Sequence, residues 1–225
     1  MKKFLFVLIA VVGMLFSQAA ADEGYWPKSY FAEVGFGIIA SKGDFNERST
    51  AITDTAGKKG LIHQPALDFL ATPDLTIGAN IAQFTLALNF QYWTSNQTLA
   101  GFPDESYTAD SRIWRLGFEF TYNLFWPDYF QIGLGGGYSY TSINTKNSVY
   151  FQDGGVQSSE LMGSAVGFIA NLHYYFTDQL SMVPAIKVYE NWFKNAYSGR
   201  TDNCDLDPYL WQTFVLASVS LQYTF

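Results

Sequence analysis

The chain has 225 residues and a formal charge of -7, with 48% hydrophobic, 18% aromatic and 15% charged residues. An acidic chain whose basic residues adjoin only at Lys2-Lys3 and Lys58-Lys59 is a poor nucleic-acid binder, since phosphate recognition needs clustered Lys and Arg. The single Cys204 excludes an intramolecular disulfide, and after residue 21 no apolar run approaches the roughly 20 residues of a membrane helix, so any large apolar surface must arise by alternation.

At the amino end, Lys2 and Lys3 precede an apolar stretch from Phe4 to Phe16 and then Ser17-Gln18-Ala19-Ala20-Ala21. This order reads as a secretory signal peptide over residues 1–21, cleaved before Asp22, leaving one domain over 22–225. An uncleaved anchor is the alternative. No Cys follows the site, which argues against lipoprotein processing.

A strand must keep its apolar face in phase, so each change of parity marks a turn or a bulge. In the first strand, from about Tyr30 to Lys42, Ala32, Val34, Phe36, Ile38 and Ala40 face outward, while Glu33, Gly35, Gly37 and Ser41 face inward. After a polar stretch from Gly43 to Gln64 the outer row is odd, from Leu67 through Leu75 to Ala79. It becomes even at Phe84, Leu86, Leu88, Phe90 and Tyr92, which places a tight turn near Asn80 to Gln83. Strand four runs from Arg112 to Leu124 with Trp114, Leu116, Phe118, Phe120 and Tyr122 outward, and Trp126-Pro127-Asp128-Tyr129 is a turn. Strand five covers Phe130 to Ser142, and its inner row is Gln131, Gly133, Gly135, Gly137 and Ser139. Strand six covers Glu160 to Phe176 with Gly163, Gly167, Asn171 and His173 inward. Thr177-Asp178-Gln179 turns into strand seven, Leu180 to Tyr189. The last strand, Leu210 to Phe225, presents Val215, Ala217, Val219, Leu221, Tyr223 and Phe225 on one side.

Eight strands with three short turns and four long connections predict an all-β, antiparallel up-and-down transmembrane barrel, its long loops outside and its termini in the periplasm. A secreted lipocalin-like barrel also alternates, but it would turn the aromatic face inward. The terminal row Leu221, Tyr223, Phe225 resembles the carboxy-terminal signature of bacterial outer-membrane β-barrels, whose assembly machinery reads a last strand ending in Phe with an aromatic two residues earlier. That resemblance implies an outer-membrane location, lipid as solvent and the assembly machinery as partner. Trp93, Trp114, Trp126, Trp192 and Trp211 lie near strand ends, where aromatic girdles form.

The charged residues on inner faces are Glu33, Arg115, Glu119 and Lys187. A small barrel has room inside only for side chains, so these charges are expected to pair, bridged by Asn89, Gln91, Asn123, Asn171 and His173. A lumen plugged in this way resembles OmpA-like and OmpX-like barrels. The same residues could instead form a gate or proton path.

For catalysis, His63 could join Ser49 or Thr53 and Asp54 in the first long loop, but such residues occur in any polar loop, and no enzymatic activity is expected. Asp202, Asp205 and Asp207 around Cys204 miss the spacing of a calcium loop, so neither metal nor cofactor is expected. Phe102, Tyr107, Tyr150, Phe151, Trp192, Phe193 and Tyr197 read as loop aromatics that could bind an extracellular ligand or anchor at the interface. Two function classes follow. One is a structural and interaction scaffold acting through its loops, resembling OmpX-like and Ail-like proteins. The alternative is a narrow channel or lateral transporter of small molecules resembling the OmpW-like group, with Pro73 or Pro184 marking a defect in the wall.

Overall fold

The computed structural model describes residues 28–46, 50–53, 56–63, 70–98, 108–125, 130–151, 156–198 and 202–225. The leader at 1–21, the Trp126–Tyr129 turn and the second-loop aromatics Phe102 and Tyr107 lie outside the described residues. The strands are β1 Lys28–Gly43, β2 Thr50–Thr53, β3 Lys59–Ile62, β4 Leu70–Ile81, β5 Phe84–Thr98, β6 Thr108–Phe125, β7 Phe130–Phe151, β8 Val156–Tyr175, β9 Leu180–Ser198 and β10 Asp202–Thr224. A short 3-10 turn, Asp44–Asn46, follows β1.

Eight of these strands form the barrel expected from the alternation. β1, β4, β5, β6, β7, β8, β9 and β10 each pair antiparallel with the next, and β10 closes on β1 from Phe31 opposite Thr224 to Gly43 opposite Gln212. Closure pairs the strands around the belt, apart from β5 beyond Gln91, where the β4 ladder has ended. The even row of β1 and the odd row of β10 face outward, with Phe36 69%, Ile38 56%, Val219 54% and Leu221 56% exposed. From Val215 to Phe225 the strand covers about 34 Å, which at a tilt of about 40–45° gives a belt about 25 Å tall, the height of an outer-membrane hydrocarbon layer. Outward Trp114 meets Tyr140 at 5.6 Å and Trp192 meets Trp211 at 6.1 Å, forming aromatic pairs toward the loop end. Trp93 differs from the girdle expected of it: it lies on the odd, inward face of β5 and is buried.

The long loops are where structure and sequence reading part. β7 and β8 continue to Phe151 and from Val156, and β9 and β10 to Ser198 and from Asp202, so the expected connections Ile143–Ser159 and Glu190–Tyr209 are mostly strand. Register shifts interrupt the ladders of these continuations between Thr145 and Val149, between Met162 and Gly163, and between Asp205 and Leu210. On β7 the inward row stays odd through Val149 and Phe151, whereas on β9 it passes from odd Phe193 to even Ala196, so parity reverses only beyond Phe193 there.

The first long connection also differs. Its β2 and β3 form a hairpin that pairs through β3 with β7, Gly60 opposite Phe151, and through β2 with β10, Thr53 opposite Asp205. Beyond the belt, therefore, β7, β8, β9, β10, β2 and β3 close a second, smaller ring. Its interior is apolar: Phe45, Ile52, Ile62, Val149, Phe151, Phe193, Ala196 and Leu206 are buried together with Ile39, Trp93, Ile113, Ile143, Leu161, Leu210, Phe214 and Leu216 from the barrel below. Phe151 and Phe193, expected at loop surfaces, are core residues here. The lumen is thus charged toward the short-turn end, and toward the loop end it is a largely apolar plug, with Ser95, Ser111, Thr145, Ser148 and Ser159 also buried there, under a six-stranded head.

Candidate functional site: a charge cluster beneath an apolar plug

Cross-strand packing on glycine sets the geometry of the cluster. Gly167 on β8 lies opposite Tyr189 on β9, and a Cβ at Gly167 would collide with the Tyr189 ring, so the absent side chain lets the ring lie flat against the wall. From there the Tyr189 hydroxyl donates to Glu119 Oε1 at 2.7 Å, and the ring face lies 3.7 Å from the Arg115 guanidinium. A cation over a desolvated aromatic face is stabilised by about 2 kcal/mol.

Glu119 and Arg115 share the inward face of β6 two residue pairs apart, 3.9 Å at their closest. Lys187 on β9 reaches Glu119 across the lumen, its Nζ donating to Oε1 at 3.0 Å and Oε2 at 3.1 Å. Lys187 also lies 3.4 Å from Asp74 Oδ2 on β4. Asp74 accepts from Asn89 and, at 3.1 Å, from Gln91 Nε2 on β5, while Arg115 donates from Nε to Gln91 at 3.0 Å and from a terminal nitrogen to Asn89 at 2.7 Å. Two cations, two carboxylates, two amides and a tyrosine therefore form one connected group, all of it buried. Buried charges persist when each is paired. Here each charge is paired, while Asp74 Oδ2 and one terminal nitrogen of Arg115 make no hydrogen bond.

Of the residues singled out from sequence, Arg115, Glu119, Lys187, Asn89 and Gln91 meet in this group. Glu33 does not: it is buried on β1 with no cation within 4.0 Å among the described residues. Neither does His173, which is buried near the short-turn end, stacked on Tyr175 at 6.2 Å, with neither ring nitrogen hydrogen-bonded. Asn123 hydrogen-bonds Thr85 at 2.7 Å, and the Asn171 carbonyl has no partner. Glu33, Glu119, Lys187, Asn171 and His173 instead line one cavity of about 20 Å³.

Asp74 and Tyr189 were missed. Parity already puts Asp74 inward on β4 between Thr72 and Thr76, but the Pro73-Asp74 dipeptide mimics a turn. Tyr189 sat at the expected end of strand seven, and only its opposition to Gly167 marks it.

His63 is buried under the head, its amide donating to Ser148 O at 2.8 Å and its ring edge-on to Tyr150. Ser49 and Asp54, its expected partners, lie outside the described residues. Asp202, Cys204, Asp205 and Asp207 belong to β10. Pro184 keeps its place in the β10 ladder, opposite Val219, but the β8–β9 ladder breaks beside it, from Asn171 opposite Ala185 to Tyr174 opposite Met182. Pro73 differs: β1 pairs with β4 as far as Leu70, but the β4–β5 ladder stops at Asp74 opposite Gln91, although β5 continues to Thr98 paired with β6. At the carboxy end Leu221, Tyr223 and Phe225 face outward, Tyr223 and Phe225 edge-to-face at 5.3 Å, and the Phe225 amide donates to Tyr30 O at 2.8 Å.

Comparison with solved structures places this architecture. Neisserial surface protein A superposes with a TM-score of 0.52 at 11% identity, covering 88% of this chain and 99% of its own. The fold is that of a small outer-membrane β-barrel. Ail of Yersinia pestis, solved with the heparin analogue sucrose octasulfate, gives 0.49 at 12% identity, covering 88% of this chain and 99% of its own. The outer-membrane protease OmpT of Escherichia coli gives 0.46 at 11%, covering 91% of this chain and 99% of its own. No family model matches the sequence, and no curated protein is similar to it.

Proposed function

We propose that the chain is an integral outer-membrane protein, exported by the leader 1–21 and inserted through the strand ending Leu221, Tyr223, Phe225. In this reading it is a non-enzymatic closed scaffold whose head binds a partner outside the cell. The observation that carries the reading is the double closure of the lumen. Glu119, Lys187, Asp74 and Arg115 fill one level, and the buried side chains around Phe45, Trp93, Phe193 and Phe214 fill the next. An axial path for ions would have to break both. The rigid head suits recognition instead, because strands hold exposed groups such as Leu61, Lys146 and Tyr209 in place with little ordering entropy left to lose on binding. The non-enzymatic reading rests on the two histidines, one packed beneath the head and the other near the opposite end of the barrel.

Ion conductance of the refolded protein in a planar bilayer tests this reading. Silence is expected from the wild type and from Glu119→Gln with Lys187→Met, because the apolar plug remains in both. Discrete steps from the wild type would replace the scaffold with a pore.

One observation favours a second reading, a lateral route for small apolar molecules: the β4–β5 ladder ends at Pro73, which has no amide hydrogen to donate, and buried Trp93 stands behind it on β5. Quenching of Trp93 by a brominated alkane, taken as the difference between wild type and Trp93→Phe, would establish that route, and its absence would remove it.

A further inference from the structure

The cavity toward the short-turn end is lined by two carboxylates, Glu33 and Glu119, and one ammonium, that of Lys187. Glu33 is 8% exposed and His173 4%, and both line it. Around them the Asn171 carbonyl, on the cavity wall, and the Gln222 carbonyl, on the residue paired with Glu33 across the β1–β10 ladder, accept no hydrogen bond. Lys187 acts on Glu33 only from beyond ion-pairing distance. Lys187 Nζ is engaged by Glu119 and Asp74, and Arg115 lies behind Tyr189 with its hydrogen bonds directed to Asn89 and Gln91. Among the described residues the lower lumen holds three carboxyl groups, Glu33, Asp74 and Glu119, and two basic side chains, Lys187 and Arg115, so full ionisation would leave it one positive charge short.

A carboxylate removed from water and left without a counter-charge is among the costliest arrangements in a protein interior. The space beside Glu33 is about 20 Å³, room for one particle of the size of a water molecule. The Glu33 carboxylate and the unpaired Asn171 carbonyl are both acceptors, a pair that favours a cation over an anion. No group of three His, Cys, Asp or Glu side chains suited to a metal occurs among the described residues, which disfavours a divalent ion.

We propose that this cavity binds one monovalent cation of sodium or ammonium size, held by the Glu33 carboxylate with the Asn171 carbonyl, so that the lower lumen is a cation site as well as a plug. Bound cation supplies the missing charge and joins β1 to β8 across the lumen.

The test is thermal unfolding of the refolded full chain in zwitterionic detergent, followed by tryptophan fluorescence, in sodium chloride and in N-methylglucamine chloride at equal ionic strength. The organic cation is too large for the cavity. Sodium should raise the midpoint saturably, by about 3–6 °C at tenfold excess over its dissociation constant. Glu33→Gln, which keeps the shape and removes the charge, should abolish the difference between the salts. Equal midpoints in the two salts would mean that a proton neutralises Glu33 and would overturn the proposal, as would a sodium effect that survives Glu33→Gln. Equal midpoints on the wild type overturn the proposal even if the variant fails to refold, and neither result depends on whether the head binds a partner.

Discussion

Lys187→Met tests the reasoning about the charge cluster most sharply. Methionine matches the lysine stem in length and shape, so packing changes little and the loss is electrostatic. In the native barrel the ammonium serves Glu119 at 3.0 and 3.1 Å and Asp74 at 3.4 Å while almost wholly buried. Breaking one side of a buried pair costs about 3–5 kcal/mol because the remaining charge is stranded. Here about 3 kcal/mol is expected, the lower end, since Glu119 keeps the Tyr189 hydroxyl and Asp74 keeps Asn89 and Gln91. Adding Glu119→Gln removes the stranded carboxylate, and the amide oxygen can still accept from Tyr189. The double variant should therefore be more stable than the sum of the single losses by about 2 kcal/mol. Urea unfolding of the refolded barrel in lipid vesicles, read by tryptophan fluorescence, gives the four free energies. A loss under about 1 kcal/mol for Lys187→Met, or strict additivity in the cycle, would refute the claim that these residues act as one group.

Gly167→Ala should cost about 1–3 kcal/mol, because its methyl group displaces the Tyr189 ring; the near-ultraviolet circular dichroism of that tyrosine should change with it. Phe45→Ala empties a fully buried position packed on Phe193 at 5.1 Å and should cost about 3–5 kcal/mol, with protease cleavage appearing in the β2–β3 hairpin while the belt stays folded. Ala82→Gly should stabilise the barrel by about 1 kcal/mol in the same urea titration, since Ala82 holds a φ of 58° in the short β4–β5 turn, a left-handed conformation that glycine adopts without strain.

How far the sequence could be read follows from where its periodicity is undisturbed. β1 and the barrel part of β10 keep one phase from end to end, so Val34, Phe36, Val219 and Leu221 announced an outer face and Glu33 and Ser220 an inner one. Closure into a ring was legible from the even number of such rows. The head was not, because its strands run through polar stretches such as Lys146-Asn147-Ser148 and 202–207 that read as loops, and because register shifts interrupt their ladders, although Phe151 and Phe193 keep the odd inward phase of β7 and β9. Pairing between distant segments also leaves no local mark: nothing in Thr50–Thr53 or Lys59–Ile62 names β7 or β10 as a neighbour. In the cluster, the charged members were legible by parity, but Tyr189 depends on an absent side chain at Gly167. His173 was assigned to a network that it does not join, because parity gives the side of a strand and not the depth or reach of a side chain.

The ring above the belt also dictates an order of events during folding. The barrel ladders join strands that are neighbours in sequence, apart from the β1–β10 seam, whereas the β2–β3 hairpin must meet Phe151 on one side and Asp205 on the other. Contacts closed over such long stretches of chain form late, and this hairpin has no site to dock on until the strands on both sides of it are in place. A nascent barrel therefore passes through a stage in which its belt is complete and its apolar interior stands open at the loop end. The hairpin is the latch that ends this stage, and its docking separates an assembled barrel from a finished one.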